Sequence, residues 1–270
     1  MTPIEPKPLL RWAGSKRQLV GCLKAYWNDS YLRYVEPFAG SASLFFSIRP
    51  QRAVLADLNA ELIEAYDVLR KWPRKLYQSI SMIPRGKSTY YQLRKINPRR
   101  LSSFERTVRF LYLNRFCFNG IYRTNLAGQF NVPYASAGTG DFPSLKQFCV
   151  SAELLSRAEL RPWDFGTTLR YVRPGDFVYI DPPYAIETRR VFCEYGPKTF
   201  SKMDLRRLST HLERIHSRGA RFLVSYADCS EARAIFGRWN IRRITVRRNI
   251  AGFSRARKSS REIIATNVET

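Results

Sequence analysis

Tyr34-Val35-Glu36-Pro37-Phe38-Ala39-Gly40-Ser41-Ala42-Ser43, followed shortly by Ala53-Val54-Leu55-Ala56-Asp57, is the stretch on which the fold turns. Residues 34–36 and 53–56 read as short strands, and 43–47 between them opens a helix. Gly40 lets the backbone approach a ligand closely. An acid, Asp57, ends the second strand. Strand, glycine turn, helix and strand form the start of a nucleotide-binding βαβ unit. The later half repeats the alternation, with strand-like runs at 159–162, 177–180, 221–225 and 240–246 and helices over 202–217 and 230–236. This predicts an α/β fold whose parallel or mixed sheet is covered on both faces.

The run Phe177-Val178-Tyr179 leads directly into Ile180-Asp181-Pro182-Pro183-Tyr184. Proline cannot donate to a sheet ladder, so the strand stops there, and its fixed φ stiffens the turn. The turn offers a carboxylate, carbonyl oxygens and a flat ring, which suit an exocyclic amino group on a planar base. An ordinary strand-ending turn would also explain a Pro-Pro-Tyr.

The planar partner is suggested by charge. The 270 residues carry 46 Lys and Arg against 22 Asp and Glu, a net +24. A field of that size attracts polyanions, nucleic acid first and an anionic membrane surface second. No run of about 18 apolar residues is present, so no transmembrane helix is expected. Residues 1–10 lack the basic-then-apolar pattern of a signal peptide, which predicts a cytoplasmic protein, nucleoid-associated in a bacterium. The five cysteines are scattered and never form a CxxC pair, and the two histidines, His211 and His216, do not share a helix face. Neither a disulfide framework nor a metal site is expected.

The middle of the chain differs from its flanks. From Arg70 to Arg115 there are 13 Lys or Arg and one acid, Glu105. The pattern there is helical, and 117–134 turns polar, aromatic and rich in Asn and Gly. This reads as an inserted helical subdomain over 61–144, within a discontinuous domain formed by 1–60 and 145–270. A second basic stretch, Arg242 to Arg261, has eight Lys or Arg and no acid. Both stretches are interleaved with Asn, Tyr or Phe, which favours phosphate contacts over a merely solvated face.

Neither GxGxxG nor GxxxxGK[ST] occurs, so a dinucleotide or ATP phosphate site is poorly supported. Asp57, seventeen residues after Gly40, can accept hydrogen bonds from ribose hydroxyls. A ribose-bearing cofactor without a pyrophosphate fits, and S-adenosylmethionine is such a cofactor. Asp57 could equally be a helix N-cap, since Asn59 and Glu61 follow.

Read together, Arg11-Trp12-Ala13-Gly14-Ser15-Lys16, Glu36-Pro37-Phe38-Ala39-Gly40, Ala56-Asp57-Leu58-Asn59 and Asp181-Pro182-Pro183-Tyr184 resemble, in order, the motifs of the Dam-type adenine-N6 DNA methyltransferases. Residues 110–120, Tyr122-Arg123-Thr124-Asn125 and Gly128-Gln129-Phe130-Asn131-Val132-Pro133-Tyr134 resemble that family's recognition region. The likeness covers nearly the whole chain. It implies a Rossmann-like S-adenosylmethionine-dependent methyltransferase sheet with an inserted helical target-recognition domain. It also implies double-stranded DNA as partner, methylation of a flipped adenine at GATC or a related short site, and a monomer on DNA.

By the same resemblance, Trp12, Ala13, Gly14 and Lys16 border the methionine end of the cofactor. Phe38, Gly40 and Ser41 cradle it, Asp57 takes the ribose, and Asp164 and Phe165 line the adenine pocket. Asp181, Pro182, Pro183 and Tyr184 are the implied catalytic loop, with Asp181 also next to the cofactor. Arg115, Asn119, Arg123, Asn125 and Pro133 are implied at the DNA. So are Asn249, Arg255, Arg257, Lys258 and Arg261, from a C-terminal contact loop. Arg123 could read a guanine edge or hold a phosphate.

The chain departs from the family in four places. Ala42 stands where many members have a second glycine, and Phe118 replaces a Tyr. Residues 249–254 lack the usual Ser-Asn-Gly, and 135–140 lack the usual basic residues. Cytosine-C5 methylation is disfavoured because no Pro-Cys pair is present. Cytosine-N4 methylation of DNA, adenine methylation of RNA and non-catalytic DNA binding are the remaining alternatives.

Overall fold

The computed structural model describes residues 8–12, 14–125, 127–136, 139–184, 200–247 and 259–269. A seven-stranded sheet is its centre. The strands are β1 (Arg33–Glu36), β2 (Ala53–Ala56), β3 (Ala158–Arg161), β4 (Asp176–Ile180), β5 (Arg221–Ala227), β6 (Asn240–Arg247) and β7 (Ser259–Thr266), in the spatial order β3-β2-β1-β4-β5-β7-β6. The first five are parallel, and β7 runs antiparallel between β5 and β6. This is a Rossmann-like, doubly wound sheet, as expected.

The helices cover both faces, and the strands alternate to match them. Tyr34, Phe177, Tyr179 and Leu223 face one layer; Val35, Val178, Ile180, Phe222 and Val224 face the other. Every residue of β4 is buried, as a parallel strand covered on both sides requires. The first layer holds α1 (Val20–Lys24), α2 (Ser43–Ile48), α3 (Ala60–Lys71), α4 (Pro73–Ser81), α5 (Lys87–Lys95), α6 (Ser103–Phe116) and α7 (Leu145–Leu155). Of these, α5 stands off the sheet and packs on α6. The second layer is α8 (Phe165–Arg170), α9 (Lys202–Ser217) and α10 (Ser230–Phe236), with Leu169, Leu208, Leu212 and Phe236 in its core.

The helical segment is joined to the sheet at both ends. Leu62, Tyr66 and Leu69 of α3, Leu76 of α4 and Leu155 of α7 lie in the same apolar cluster as the sheet. A separate cluster of Tyr90, Tyr112, Leu113, Phe116, Cys117 and Val132 forms farther out. Local signals set these helices: Pro73 starts α4 at a position that needs no N–H, and Ser102 and Glu105 form a capping box on α6. No helix among the described residues is long and apolar enough to cross a membrane.

Strand β7 corrects the expected C-terminal loop over 249–261. Ser259 to Arg261 belong to the strand, and Arg261 pairs with Thr245 of β6. Arg261 is exposed. Asn249, Arg255, Arg257 and Lys258 lie outside the described residues.

Candidate active site

The strand order reverses between β1 and β4. β1 continues outward to β2, and β4 continues to β5 on the other side. In sheets of this kind the loops leaving the carboxyl ends of the two strands at the reversal diverge, and ligands bind in the crevice between them. Glu36 ends β1, and Asp181 follows β4 by one residue.

Asp181 is fixed from two sides. Ser225, on the neighbouring strand β5, donates to its Oδ1 at 2.9 Å, and Lys16 Nζ lies 3.0 Å from the same oxygen. Tyr179 lies 3.0 Å from the Ser225 hydroxyl. Burial raises the Asp181 pKa above the usual carboxylate value, and Lys16 and Ser225 offset that only in part. Burial also disfavours the Lys16 charge, but Asp181, Tyr184 and Glu262 outweigh it, so Lys16 stays an ammonium. Lys16 donates to the Tyr184 hydroxyl at 3.3 Å, which in turn donates to Glu262 Oε1 at 3.1 Å. The Tyr184 ring rests edge-on against Tyr226 at 5.3 Å. Pro182 is buried and Pro183 half-buried beneath this cluster.

Glu36 is a second buried acid here. It accepts the Tyr34 hydroxyl at 3.0 Å. Burial lifts its pKa far above the ordinary value; the Tyr34 bond opposes this, and Asp181 and Asp57 add to it.

The glycine turn is held from three directions. Asp57 accepts the Gly40 N–H at 3.0 Å and the Asn59 N–H at 2.9 Å, and Tyr66 donates to the Gly40 carbonyl at 2.7 Å. Asn59, rather than Asp57, caps α3, accepting the Leu62 N–H at 3.2 Å. Gly40 has φ +46°, and a Cβ there would stand 2.9 Å from Trp12 Cδ1. Ala42 also occupies the left-handed region, φ 50°. The hydroxyls of Ser15, Ser41 and Ser43 lie within 3.0 Å of one another. Next to the turn, Phe38 stacks on Phe165 at 5.2 Å. Asp164 caps α8 through the Gly166 N–H at 2.9 Å and binds Arg207 at 2.8 Å.

Arg11, just ahead of Trp12, is clamped by α6. Asn114 accepts the Arg11 N–H at 3.0 Å and donates to its carbonyl at 2.6 Å. Gly120 allows this approach, since a Cβ there would meet Arg11 Cβ at 2.6 Å. Trp12 then stacks on Tyr122 at 5.9 Å. Gly14 (φ 78°) turns the chain toward Lys16. Ala13 lies outside the described residues.

Arg115 does not belong with the DNA-facing residues expected above. It is 9% exposed, donates to the Leu9 carbonyl at 2.7 Å and lies over the Phe142 ring. Burial lowers its pKa to about 10, with Arg11 and Arg17 adding to the effect. Its cation braces the N-terminal segment in this structure. Other arginines of the basic stretch are also structural: Arg109 donates to the Leu93 and Arg94 carbonyls, and Arg94 to that of Val132. Arg74, Lys75, Lys87, Lys95, Arg99 and Arg100 remain exposed.

Residues 117–134 fold back as a hairpin closed by bridges Cys117–Tyr134 and Thr124–Phe130. Phe118 donates to the Pro133 carbonyl at 2.9 Å, which brings Asn119 (φ 55°) beside Pro133. Arg123 is half-buried and bonded through Nε to Asn131 at 2.8 Å. Asn125 is exposed, but its amide bonds to Gln129 within the hairpin tip.

Sequence reasoning missed Ser225, Glu262, Tyr66 and Asn114, and gave Glu36 no role. Two had a visible signal: Ser225 is a polar residue between Phe222-Leu223-Val224 and Tyr226, and Glu262 is a lone acid between a basic stretch and Ile263-Ile264-Ala265. Asn114 and Tyr66 act only across long sequence separations.

The chain is similar to several known proteins. The type II methyltransferase M1.LlaDCHI of Lactococcus lactis subsp. cremoris is 32% identical over 98% of this chain and 96% of its own length. The type II methyltransferase M.MjaIII of Methanocaldococcus jannaschii is 26% identical over 92% and 93%. The DNA adenine methylase of Escherichia coli is 30% identical over 96% and 94%. With residues 12–250 matching the family as a whole, the chain belongs to the D12 class N6 adenine-specific DNA methyltransferases.

Proposed function

We propose that this chain moves the methyl group of S-adenosylmethionine to N6 of an adenine extruded from double-stranded DNA, acting as a monomer at GATC or a related short site. The observation that carries this reading is the Asp181 carboxylate, fixed by Ser225 and Lys16 beside the Tyr184 ring at the crevice.

The cofactor supplies a methyl group activated on a sulfonium. The residues on its side of the crevice fit it. Asp57 has oxygen lone pairs beyond its two backbone bonds, suited to ribose hydroxyls. The Gly40 turn leaves no room for a side chain, and Phe38 with Phe165 offers an aromatic face near Asp164. Trp12, Ala13, Gly14, Lys16 and Ser41 border the methionine end.

On the other side, the target base leaves the helical stack, at a cost of a few kcal/mol. Stacking on Tyr184 returns about 1–3 kcal/mol. Asp181 and the Pro182 carbonyl accept the two N6 hydrogens, which turns the nitrogen lone pair out of conjugation and toward the methyl group. Holding both reactants in line supplies much of the acceleration. Residues 1–60 and 145–270 carry this chemistry, and 61–144 carry the readout through Asn119, Arg123, Asn125 and Pro133. Asn249, Arg255, Arg257, Lys258 and Arg261 are assigned to DNA contacts on the strength of the family resemblance.

The test is single-molecule sequencing of DNA from cells expressing the wild-type protein or Asp181→Ala. N6-methyladenine at one short motif, absent with the variant, is the expected result. Unchanged methylation by Asp181→Ala would overturn the assignment.

A further inference from the structure

Glu262 is a buried carboxylate for which the chemistry above has no use. It lies on β7 opposite Ala227 of β5 and is 3% exposed. Its Oε1 accepts the Tyr184 hydroxyl at 3.1 Å, and its Oε2 stands 3.6 Å from Lys16 Nζ. The Lys16 ammonium itself is 3.0 Å from Asp181. One cation therefore lies between two carboxylates, nearer to Asp181, with the Tyr184 hydroxyl bridging the cation to the second acid.

That placement creates a competition. An ammonium and an exocyclic amine are both N–H donors, and both seek the Asp181 carboxylate. Ser225 and Lys16 already occupy the same oxygen, Oδ1. A target amine engaging Asp181 crowds Lys16, whose side chain is 9% exposed and has little access to water. Leaving a buried charge without its partner is strongly unfavourable. Glu262 Oε2 is a fraction of an ångström beyond hydrogen-bond distance, so a small rotation of the lysine chain reaches it.

Resting on the reading above, we propose that Glu262 is a positioning residue: it receives the Lys16 ammonium as the target amine takes its place at Asp181, and it holds the Tyr184 ring through its hydroxyl. No proton changes owner in this exchange. Lys16 remains charged and trades one carboxylate for the other. The final strand thereby takes part in seating the base.

The test uses the full chain with a duplex carrying 2-aminopurine at the target position, whose fluorescence rises on extrusion. Glu262→Gln keeps the shape and an acceptor for Tyr184 but removes the charge. The expected result is a weaker extrusion signal and a fall in kcat of roughly 10- to 100-fold, the size of a hydrogen bond to a charged group. Affinity for duplex lacking the site and the melting temperature should stay near wild type. In a Lys16→Gln background, Glu262→Gln should cost little more, because the ion it receives is gone. Glu262→Asp, which keeps the charge with shorter reach, should recover part of the turnover, and it carries the test if the glutamine variant does not fold.

Wild-type turnover and extrusion in both Glu262 variants, or a full additional loss in the Lys16→Gln background, would overturn the exchange. Absence of methyl transfer by the wild-type protein would instead overturn the reading on which it rests.

Discussion

The carboxyl end of the sheet and the 117–134 hairpin are built on opposite principles. At the sheet end, Asp181, Glu262 and Lys16 are charged or ionisable groups in a water-poor place, each with named partners on a different strand or loop, and the buried Glu36 is held by Tyr34 of its own strand. In the hairpin no buried ion cluster is at work among the described residues: two isolated bridges, the Phe118–Pro133 backbone bond and neutral or single-charge contacts such as Arg123–Asn131 close it. Pro133, Asn125, Gly128 and Gln129 are left exposed. A change at the sheet end disturbs several partners together. A change in the hairpin alters what is presented outward and leaves the frame standing. On the proposed assignment of readout to the hairpin, chemistry and selectivity would be separable within one chain.

The sharpest way to break this comparison is at Gly40. Gly40→Val forces a β-branched residue to φ +46° and drives its Cβ to 2.9 Å from the Trp12 ring. We expect a destabilisation of about 2–4 kcal/mol, the sum of left-handed strain and overpacking, together with loss of cofactor binding. Urea unfolding and titration calorimetry read both, and a variant that binds S-adenosylmethionine as wild type does would refute the prediction.

Next in size is Arg123→Ala, which addresses the hairpin. If the guanidinium reads a guanine edge, discrimination against a substituted base pair should fall by about 1–3 kcal/mol. Stability and turnover on saturating cognate DNA should hold. Equal weakening on every duplex, with a smaller salt slope, would make it a phosphate contact instead. Competition binding on cognate and single-substituted duplexes at several salt concentrations distinguishes the two.

The smallest effect concerns Glu36. Burial raises its pKa in the folded state, so the native protein keeps a proton that the unfolded chain releases. The stability this contributes is complete below the ordinary glutamate pKa of about 4.3. It declines as pH rises toward the folded value, by up to about 1.4 kcal/mol per pH unit. Glu36→Gln should flatten this part of the stability profile. Parallel slopes for variant and wild type in denaturant titrations between pH 5 and 8 would contradict it.

Much of the sheet end was readable from sequence because its signals are local. Apolar runs fix β1, β2, β4 and β5 to within a residue or two, and Pro182-Pro183 ends β4 where expected. β7 escaped notice because Ser259-Ser260-Arg261-Glu262 looks like the end of a basic loop. It becomes a strand only because β5 and β6 pair with its two edges. The surroundings of Arg115 are hidden in the sequence for a related reason. In sequence it is one more cation in a basic stretch, and only the fold puts the Leu9 carbonyl and Phe142 around it. Net charge locates a polyanion partner but does not say which arginines meet it.

The interleaving of β7 between β5 and β6 has a consequence for biosynthesis. β6 emerges from the ribosome earlier, yet it pairs only with β7 in the sheet. A nascent chain that has released residues 1–247 therefore carries the crevice, the Asp181 loop and Lys16, but has an unpaired β5 edge and a β6 strand with no neighbour. Exposed edges of this kind invite mispairing with other chains. Glu262 arrives only with β7, so the ion cluster around Lys16 closes in the same late event that seals the sheet. A partly made chain would then hold the methylation motifs without their finished electrostatics, and arrest peptides placed on either side of residue 262 would time that closure.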